Sequence, residues 1–221
     1  MKPGFPYFIA AEFALFQSVR KVTLPHLLVA VSFPLTAVLV FRFLEGSPWW
    51  VAALAASAAG TFRYFGAVLE TMDEEVTTRR GPAMTLSVYE PMGVVAAITP
   101  WNSPIASDAQ KVAPALAAGN AVILKPASWS PLTALELARI VDEAGCPKGL
   151  FSVLPGSGRE IGNLLVEHPD IARVSFTGGT ETGRALAVKA AQKLMPVSLE
   201  LGGKSPTIVF ADADMEQALA G

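Results

Sequence analysis

Three polar side chains that could take part in chemistry stand directly after apolar segments of this chain: Asn102, Lys125 and Glu200. An amide can donate to an oxyanion, an ammonium group can hold an anion, and a carboxylate can accept a proton. Each also has a purely structural interpretation. Asn102 lies between two prolines, Lys125 could be a solvated strand end, and Glu200 could be an exposed edge carboxylate. No one of these residues decides the function alone.

Glycine clusters follow other apolar segments, at Gly156–Gly158 and Gly178–Gly179. Glycine lets the backbone approach a ligand closely, and a helix that begins there exposes N–H groups to an anion such as a pyrophosphate. However, the spacing of Gly156, Gly158 and Gly162 differs by one residue from the usual dinucleotide-binding fingerprint. A tight turn is therefore the simpler explanation for each cluster taken alone.

The elements that position these residues alternate between strands and helices. The apolar patterns predict strands over Met84–Glu90, Val94–Thr99, Ala121–Lys125, Phe151–Leu154, Ile171–Phe176, Val197–Leu201 and Thr207–Phe210. They predict helices over Val51–Met72, from Ser103-Pro104 to Gly119, from Ser130-Pro131 to Gly145, after Leu154 to about Glu167, over about Thr180–Leu194 and from Met215. Such alternation predicts a doubly wound α/β sheet of parallel strands, which binds ligands beyond the carboxyl ends of its strands.

Composition excludes several classes of function. Of 221 residues, 52% are hydrophobic and 16% charged, so the chain is expected to bury a substantial core. The net charge of −2, without a basic block, argues against nucleic-acid binding. Cys146 is the one cysteine, and His26 and His168 lie far apart, so neither an internal disulfide nor a metal site is expected. A reducing, cytoplasmic location fits this cysteine usage.

Residues 1–50 differ from residues 51–221 and are treated as a separate hydrophobic segment. Thr23–Phe41 is uncharged over 19 residues, which is near the length that spans a bilayer. Pro25, His26 and Pro34 interrupt this run, and proline disfavours a helix interior. A membrane segment is therefore not favoured, and a buried helical arm or a stretch that is not authentic coding sequence remains open.

Four motifs resemble the aldehyde dehydrogenase superfamily in order and approximate spacing. They are Ile98-Thr99-Pro100-Trp101-Asn102, Lys125-Pro126-Ala127-Ser128, Phe176-Thr177-Gly178-Gly179-Thr180 and Leu199-Glu200-Leu201-Gly202-Gly203-Lys204-Ser205-Pro206. The resemblance covers about residues 51–221 and implies the Rossmann-like cofactor-binding domain of that family, incomplete at its C-terminal side. It implies oxidation of a small-molecule aldehyde to a carboxylic acid with NAD or NADP, in a family of homo-oligomers.

The resemblance also implies roles for individual residues. Asn102 matches the oxyanion donor and Glu200 the general base, while Lys125 matches the lysine that holds ribose hydroxyls. Cofactor contacts are further implied for Thr99, Pro100, Trp101, Ser128, Gly158, Arg159, Gly178, Gly179 and Thr182. Many NAD-dependent members carry glutamate where this chain has Ser128, and its absence removes a charge that would repel a 2′-phosphate. Gly179 replaces a serine that is common in the family, so a hydroxyl contact is lost there.

The nucleophilic cysteine of the family has no match in these residues. It lies a few dozen residues after the glutamate, whereas 21 residues follow Glu200 here (221 − 200). Cys146 falls on a predicted helix-to-strand loop and is expected to be structural. We therefore expect no thiol-dependent dehydrogenase activity from these 221 residues alone.

Three interpretations remain open at this stage. The first is a segment of an aldehyde dehydrogenase, from a truncated, split or disrupted gene. The second is a membrane-anchored, non-catalytic nucleotide-binding module, which should partition with membranes. The third is a regulatory subunit that pairs with a complete dehydrogenase through Met84–Glu90, which co-purification would reveal.

Overall fold

The computed structural model describes residues 49–73, 75–76 and 85–220. Its elements in chain order are α1 Trp49–Glu70, β1 Glu75–Val76, β2 Leu86–Ser87, β3 Val94–Ile98, α2 Pro104–Ala117, β4 Ala121–Lys125, α3 Leu132–Glu143, β5 Phe151–Val153, α4 Asn163–Glu167, β6 Ile171–Thr177, α5 Thr180–Ala191, β7 Val197–Glu200 and α6 Met215–Ala220. One turn of π-helix, Gly158–Gly162, leads directly into α4.

The larger sheet has the strand order β5-β4-β3-β6-β7, with every pair parallel. The chain runs outward from β3 to β5, then returns to the other side of β3 and runs outward again to β7. Helix α2 packs against both α1 and α3, and α4 packs against α5. The predicted doubly wound sheet is confirmed, and its strand order reverses between β3 and β6, where open α/β sheets form their ligand crevice.

The central strands are buried along their whole length. Every residue of β3 and β4 is buried, and their register pairs Val94 with Ala121 and Ile98 with Lys125. Continuous apolar runs are typical of parallel strands that are covered on both faces. These two strands therefore hold the loops that follow Ile98 and Lys125 in a fixed relationship.

Helix α2 is held between two polar junctions. Pro104 opens it, as predicted, but the side chain of Ser103 makes no capping hydrogen bond. At its far end Gly119 has a φ of 78°, a left-handed conformation that favours glycine. The side chain of Asn120 then accepts a hydrogen bond from the amide of Gly93 (3.1 Å) and donates to the carbonyl of Ala115 (3.1 Å). Asn120 thereby fixes the entry into both β3 and β4.

Several predicted elements differ from the structure. Thr207–Phe210 is irregular and exposed, because no strand of the described residues pairs with it and a strand needs a partner for its backbone groups. Helix α3 begins at Leu132, after the predicted start at Ser130-Pro131, and among the described residues the buried hydroxyl of Ser130 has no hydrogen-bond partner. Helix α5 ends at Ala191, before Leu194, whose φ is 53°.

The predicted strand Met84–Glu90 is much shorter in the structure. Only Leu86–Ser87 is extended and paired, antiparallel to Glu75–Val76, and Met84 lies outside the described residues. The apolar run 23–41 also lies outside them. Within the part of the chain that the structure describes, no helix has the length and apolar character needed to cross a membrane.

Candidate active site and dinucleotide cleft

A cleft of about 700 Å³ lies at the carboxyl ends of the strands, on both sides of the point where the strand order reverses. Its wall includes eleven of the twelve residues predicted from the sequence: Thr99, Pro100, Trp101, Asn102, Lys125, Ser128, Gly158, Gly178, Gly179, Thr182 and Glu200. These residues are up to 101 positions apart in the sequence (200 − 99), and the strand topology brings them to one rim.

The loop after β3 carries the candidate oxyanion donor. The amide of Thr99 donates to the carbonyl of Lys125 (3.2 Å), so the start of this loop is tied to the end of β4. Thr99 is 4% exposed, whereas Asn102 is exposed and the indole of Trp101 is 70% exposed. The indole is therefore not part of the core. Trp101 and Asn102 both border the cleft, and their polar groups are accessible to a ligand.

Lys125 is not a solvated strand end. The residue is 3% exposed, and its ammonium group donates to the carbonyl of Pro126 (2.6 Å). Burial lowers the pKa of Lys125 below its ordinary value, and no carboxylate among the described residues forms an ion pair with it. An ammonium group has three donors, and one carbonyl leaves two of them for a ligand. A buried cation of this kind favours an anion or a hydroxyl group in the cleft.

Ser128 links the loops that follow β4 and β5. Its hydroxyl donates to the carbonyl of Gly156 (2.8 Å), whose φ of 143° requires glycine. This contact brings Gly158 to the same rim as Lys125. The residue itself is exposed, so the hydroxyl is accessible to a ligand.

The Gly178–Gly179 turn connects β6 to α5. Gly179 is the residue that precedes the helix, and a side chain added there would meet no atom within 4 Å. Open space at a glycine that begins a twelve-residue helix leaves room for an anion beside the free N–H groups of the first turn. By contrast, a Cβ atom at Gly178 would lie 2.6 Å from the ring of Phe176. A side chain at position 178 would therefore require the ring of Phe176 or the turn to shift.

Glu200 ends β7 and borders the same cleft as Asn102. It is exposed, with access to water, as a residue that moves protons requires. Lys111 of α2, which was not predicted as a site residue, lies near it and donates to the hydroxyl of Ser175 (3.0 Å). Burial lowers the pKa of Lys111, and the negative charge of Glu200 acts in the opposite direction. The sequence signal for Lys111 is a charge in a helix otherwise rich in small and apolar residues.

Asp108 is a second residue that the sequence analysis missed. It lies on the buried face of α2, with no exposed surface, and among the described residues neither of its oxygens has a partner in hydrogen-bond geometry. Burial raises the pKa of Asp108 to about 6, and the nearby hydroxyl of Thr99 limits this increase. A carboxylate at an apolar helix position was the signal that could have identified it.

Arg159 is the one predicted residue that does not border this cleft. It lies in a neighbouring cavity of about 480 Å³, which shares Ile98, Gly158, Phe176 and Thr182 with the first. Arg159 itself is exposed at the start of the π-helical turn. The two cavities are therefore adjacent parts of one rim.

Cys146 lies away from the cleft. It precedes β5 and so stands at the amino-terminal rim of the sheet, opposite the cleft. It belongs to the hydrophobic core, and burial, with a smaller contribution from Asp142, raises its pKa to about 11. A buried thiol with a raised pKa is a poor nucleophile, in agreement with the structural role predicted for it.

This chain is similar in sequence and fold to known proteins of one family. Residues 44–221 match the model of the aldehyde dehydrogenase family. The aldehyde dehydrogenase KauB from Pseudomonas aeruginosa is 37% identical, with a TM-score of 0.86, over 95% of this chain and 45% of that one. An NADP-dependent enzyme from E. coli is 34% identical, with a TM-score of 0.85, over 96% and 46%.

An NAD+ complex of an aldehyde dehydrogenase from Bacillus cereus is 33% identical, with a TM-score of 0.83, over 91% of this chain and 43% of that one. The chain thus spans a little under half the length of these solved relatives. With most of the sequence matched by the family model and the same parallel sheet in its relatives, the chain belongs to the aldehyde dehydrogenase family.

Proposed function

We propose that this chain binds NAD or NADP in the cleft at the carboxyl-terminal rim. We further propose that it supplies the oxyanion donor and the general base for oxidation of an aldehyde to a carboxylic acid. The observation that carries this proposal is the shared cleft, in which Asn102 and Glu200 stand together with Lys125 and the Gly178–Gly179 turn. The solved relatives include a complex with NAD+ and an enzyme described as NADP-dependent.

The residues present fit a dinucleotide. The buried ammonium group of Lys125 has donors left for ribose oxygens or a phosphate, and the open space at Gly179 leaves the start of α5 accessible to a pyrophosphate. When bound, the dinucleotide supplies the hydride acceptor. The protein's own contribution is then to bind and orient this group beside the reacting carbon.

Two side chains act on the aldehyde. The amide of Asn102 donates a hydrogen bond to the carbonyl oxygen as negative charge develops there, and such a donor is worth about 3–4 kcal/mol in the transition state. The carboxylate of Glu200 takes a proton from the attacking thiol or from the hydrolytic water. Both roles need side chains that reach the cleft, and both residues border it.

The thiol is not supplied by Cys146. That residue is buried at the opposite rim with a raised pKa, so we propose that these 221 residues alone bind the dinucleotide without oxidising aldehydes. The nucleophile would have to come from polypeptide beyond the residues present here.

Ser128 and Lys125 favour NADP over NAD. An acidic side chain beyond a strand of a dinucleotide-binding sheet binds the ribose 2′-hydroxyl, whereas a nearby cation accommodates a 2′-phosphate. Lys125 ends β4, and the loop that follows carries Ser128 and has no acidic residue before α3. Glu200, the carboxylate in the wall of the cleft, belongs to β7 on the other half of the sheet. We therefore propose that NADP binds more tightly than NAD.

Titration calorimetry on the purified protein with NADP+ and NAD+ tests the proposal, together with an assay for aldehyde-dependent reduction of either dinucleotide. We expect saturable binding and no reduction by these residues alone. Absence of binding would contradict the proposed cleft, while aldehyde-dependent NAD(P)H formation by this chain would contradict the proposed origin of the thiol.

A further inference from the structure

A buried carboxyl group lies in α2, the helix that follows the loop carrying Asn102. Asp108 is in the second turn of α2 and is wholly removed from solvent among Ile105, Ala109 and Val112. A carboxylate in such a position normally has a cation or several donors around it, because burying an unpaired charge is costly. The proposed function does not use Asp108.

Charged groups on the surrounding elements have other partners or are exposed. On the same helix Lys111 donates to Ser175, and on β4 Lys125 donates to Pro126. The charged residues Arg63 and Glu70 of α1 are exposed, Arg139 of α3 bonds to Glu136 and Glu143, and Asp142 of α3 is exposed. No ion pair involving Asp108 occurs among the described residues.

The neighbour that remains is the hydroxyl of Thr99. It limits the rise in the pKa of Asp108, and among the described residues its oxygen, like those of Asp108, lacks a partner in ordinary hydrogen-bond geometry. An ionised carboxylate can only accept from Thr99, which leaves its second oxygen buried and unsatisfied. A protonated carboxyl group both donates and accepts, so it satisfies more of the buried polar atoms at this contact.

We propose that Asp108 is a positioning residue: its buried carboxyl group holds Thr99, the first residue of the cofactor loop, and holds it best when it carries a proton. This inference rests on the proposed function, since the loop matters through dinucleotide binding. A nucleotide that binds to this loop in its held position favours the protonated form of Asp108, because that form holds Thr99 best. By linkage, nucleotide binding then takes up protons, and the affinity falls as the pH rises.

Titration calorimetry with NAD+ in two buffers of different ionisation enthalpy measures this proton uptake, because NAD+ has no 2′-phosphate that titrates. Near pH 7, where the free carboxyl group is mostly ionised, we expect uptake of a fraction of a proton by the unchanged protein. We expect its affinity to fall by up to about tenfold between pH 6 and pH 8, which corresponds to a coupling of one pKa unit.

Two variants distinguish the effect of the proton on Asp108 from the effect of its polar contact with Thr99. Asp108→Asn keeps a donor and an acceptor, so it should bind NAD+ with little dependence on pH and without the extra proton uptake. Asp108→Leu keeps the volume but not the polar contact, so it should bind independently of pH and more weakly than Asp108→Asn. Asp212→Asn, at an exposed position, is the matched control and should behave like the unchanged protein.

The outcomes are distinguishable. Proton uptake by Asp108→Asn equal to that of the unchanged protein would overturn the inference and leave the proposed function intact. Equal affinity of Asp108→Asn and Asp108→Leu would overturn the positioning role. Absence of NAD+ binding by the unchanged protein would overturn the proposed function, and this inference with it.

Discussion

The amide of Gly178 donates to the carbonyl of Glu200 at 3.0 Å. This single hydrogen bond joins the turn that leads into α5 to the end of the neighbouring strand β7. The proposed phosphate-binding turn and the proposed general base are therefore parts of one hydrogen-bonded unit. A change that displaces the turn is expected to displace Glu200 as well.

The two glycines of this turn should respond differently to alanine. In Gly178→Ala the new methyl group would lie 2.6 Å from the ring of buried Phe176, so the ring or the turn would have to shift. Such overpacking costs about 1–3 kcal/mol, and we expect a loss of this size in urea-induced unfolding.

Gly179→Ala is the matched control, because a side chain there meets no atom within 4 Å and its φ of −66° suits any residue. We expect its free energy of unfolding to stay within about 0.5 kcal/mol of the unchanged protein. Equal destabilisation by the two variants would contradict this packing account.

Removing the buried cation should weaken dinucleotide binding without unfolding the protein. Lys125→Met keeps the aliphatic stem but loses the ammonium group, so we expect the Kd for NADP+ to rise about tenfold or more. Lys148→Met removes an exposed lysine at the opposite rim and should leave the Kd unchanged. Thermal unfolding of Lys125→Met should occur at the same or a higher temperature, because a buried charge with one partner is lost. An unchanged Kd would contradict the role proposed for Lys125.

The choice between the two dinucleotides should depend on position 128. Ser128→Glu places a carboxylate beside the proposed 2′-phosphate site, and we expect it to change a preference for NADP+ into one for NAD+. Ser128→Ala removes the bond to Gly156 without adding charge and should preserve the direction of the preference. Competition with adenosine 2′,5′-bisphosphate and with 5′-AMP measures the 2′-phosphate contribution directly. Tighter binding of NAD+ by the unchanged protein would contradict the proposed specificity.

The oxyanion role requires a complete dehydrogenase that contains these residues. There Asn102→Ala should lower kcat about 10²–10³-fold while dinucleotide binding is kept, because the amide acts on charge that develops in the transition state. The side chain of Ser103 makes no capping hydrogen bond, so Ser103→Ala is a suitable neighbouring control with unchanged kcat. An effect confined to the dinucleotide Kd would assign Asn102 to cofactor binding instead.

Stability should depend on pH through Asp108. Its pKa is raised to about 6 by burial, so the folded protein holds this proton more tightly than the unfolded chain does. Stability from this group is therefore greatest below about pH 4 and decreases as the pH rises through 6, by roughly 3 kcal/mol in total. Asp108→Asn should be more stable than the unchanged protein at pH 8, with a difference that shrinks toward pH 4. A difference independent of pH would show that ionisation of Asp108 is not its cause.

The sequence predicted the elements whose burial is uniform. Ala121–Lys125 is apolar up to its last residue because both faces of β4 are covered, and its observed bounds are those predicted. Asn102 and Glu200 each lie at the carboxyl end of a parallel strand and were therefore expected at one rim of the sheet. They border the same cleft although 98 positions separate them (200 − 102).

Features that depend on tertiary partners could not be predicted in this way. Thr207–Phe210 has the composition of a strand, but among the described residues nothing pairs with it. Asp108 and Lys111 were missed because local sequence gives no measure of how deeply a helix face is buried. From the sequence alone, an exposed Lys125 side chain was as consistent with the pattern as a buried one. Its burial depends on tertiary packing, which the sequence pattern does not show.

Hydrogen–deuterium exchange with and without saturating NADP+ tests the proposed cleft most directly. We predict that bound dinucleotide slows exchange in 99–102, 125–128, 156–158 and 177–179, the loops at the carboxyl ends of the strands. The loops 119–120, 145–149 and 194–195, at the amino ends, should keep their rates. Slower exchange confined to the amino-end loops, or no change in either set, would contradict the account.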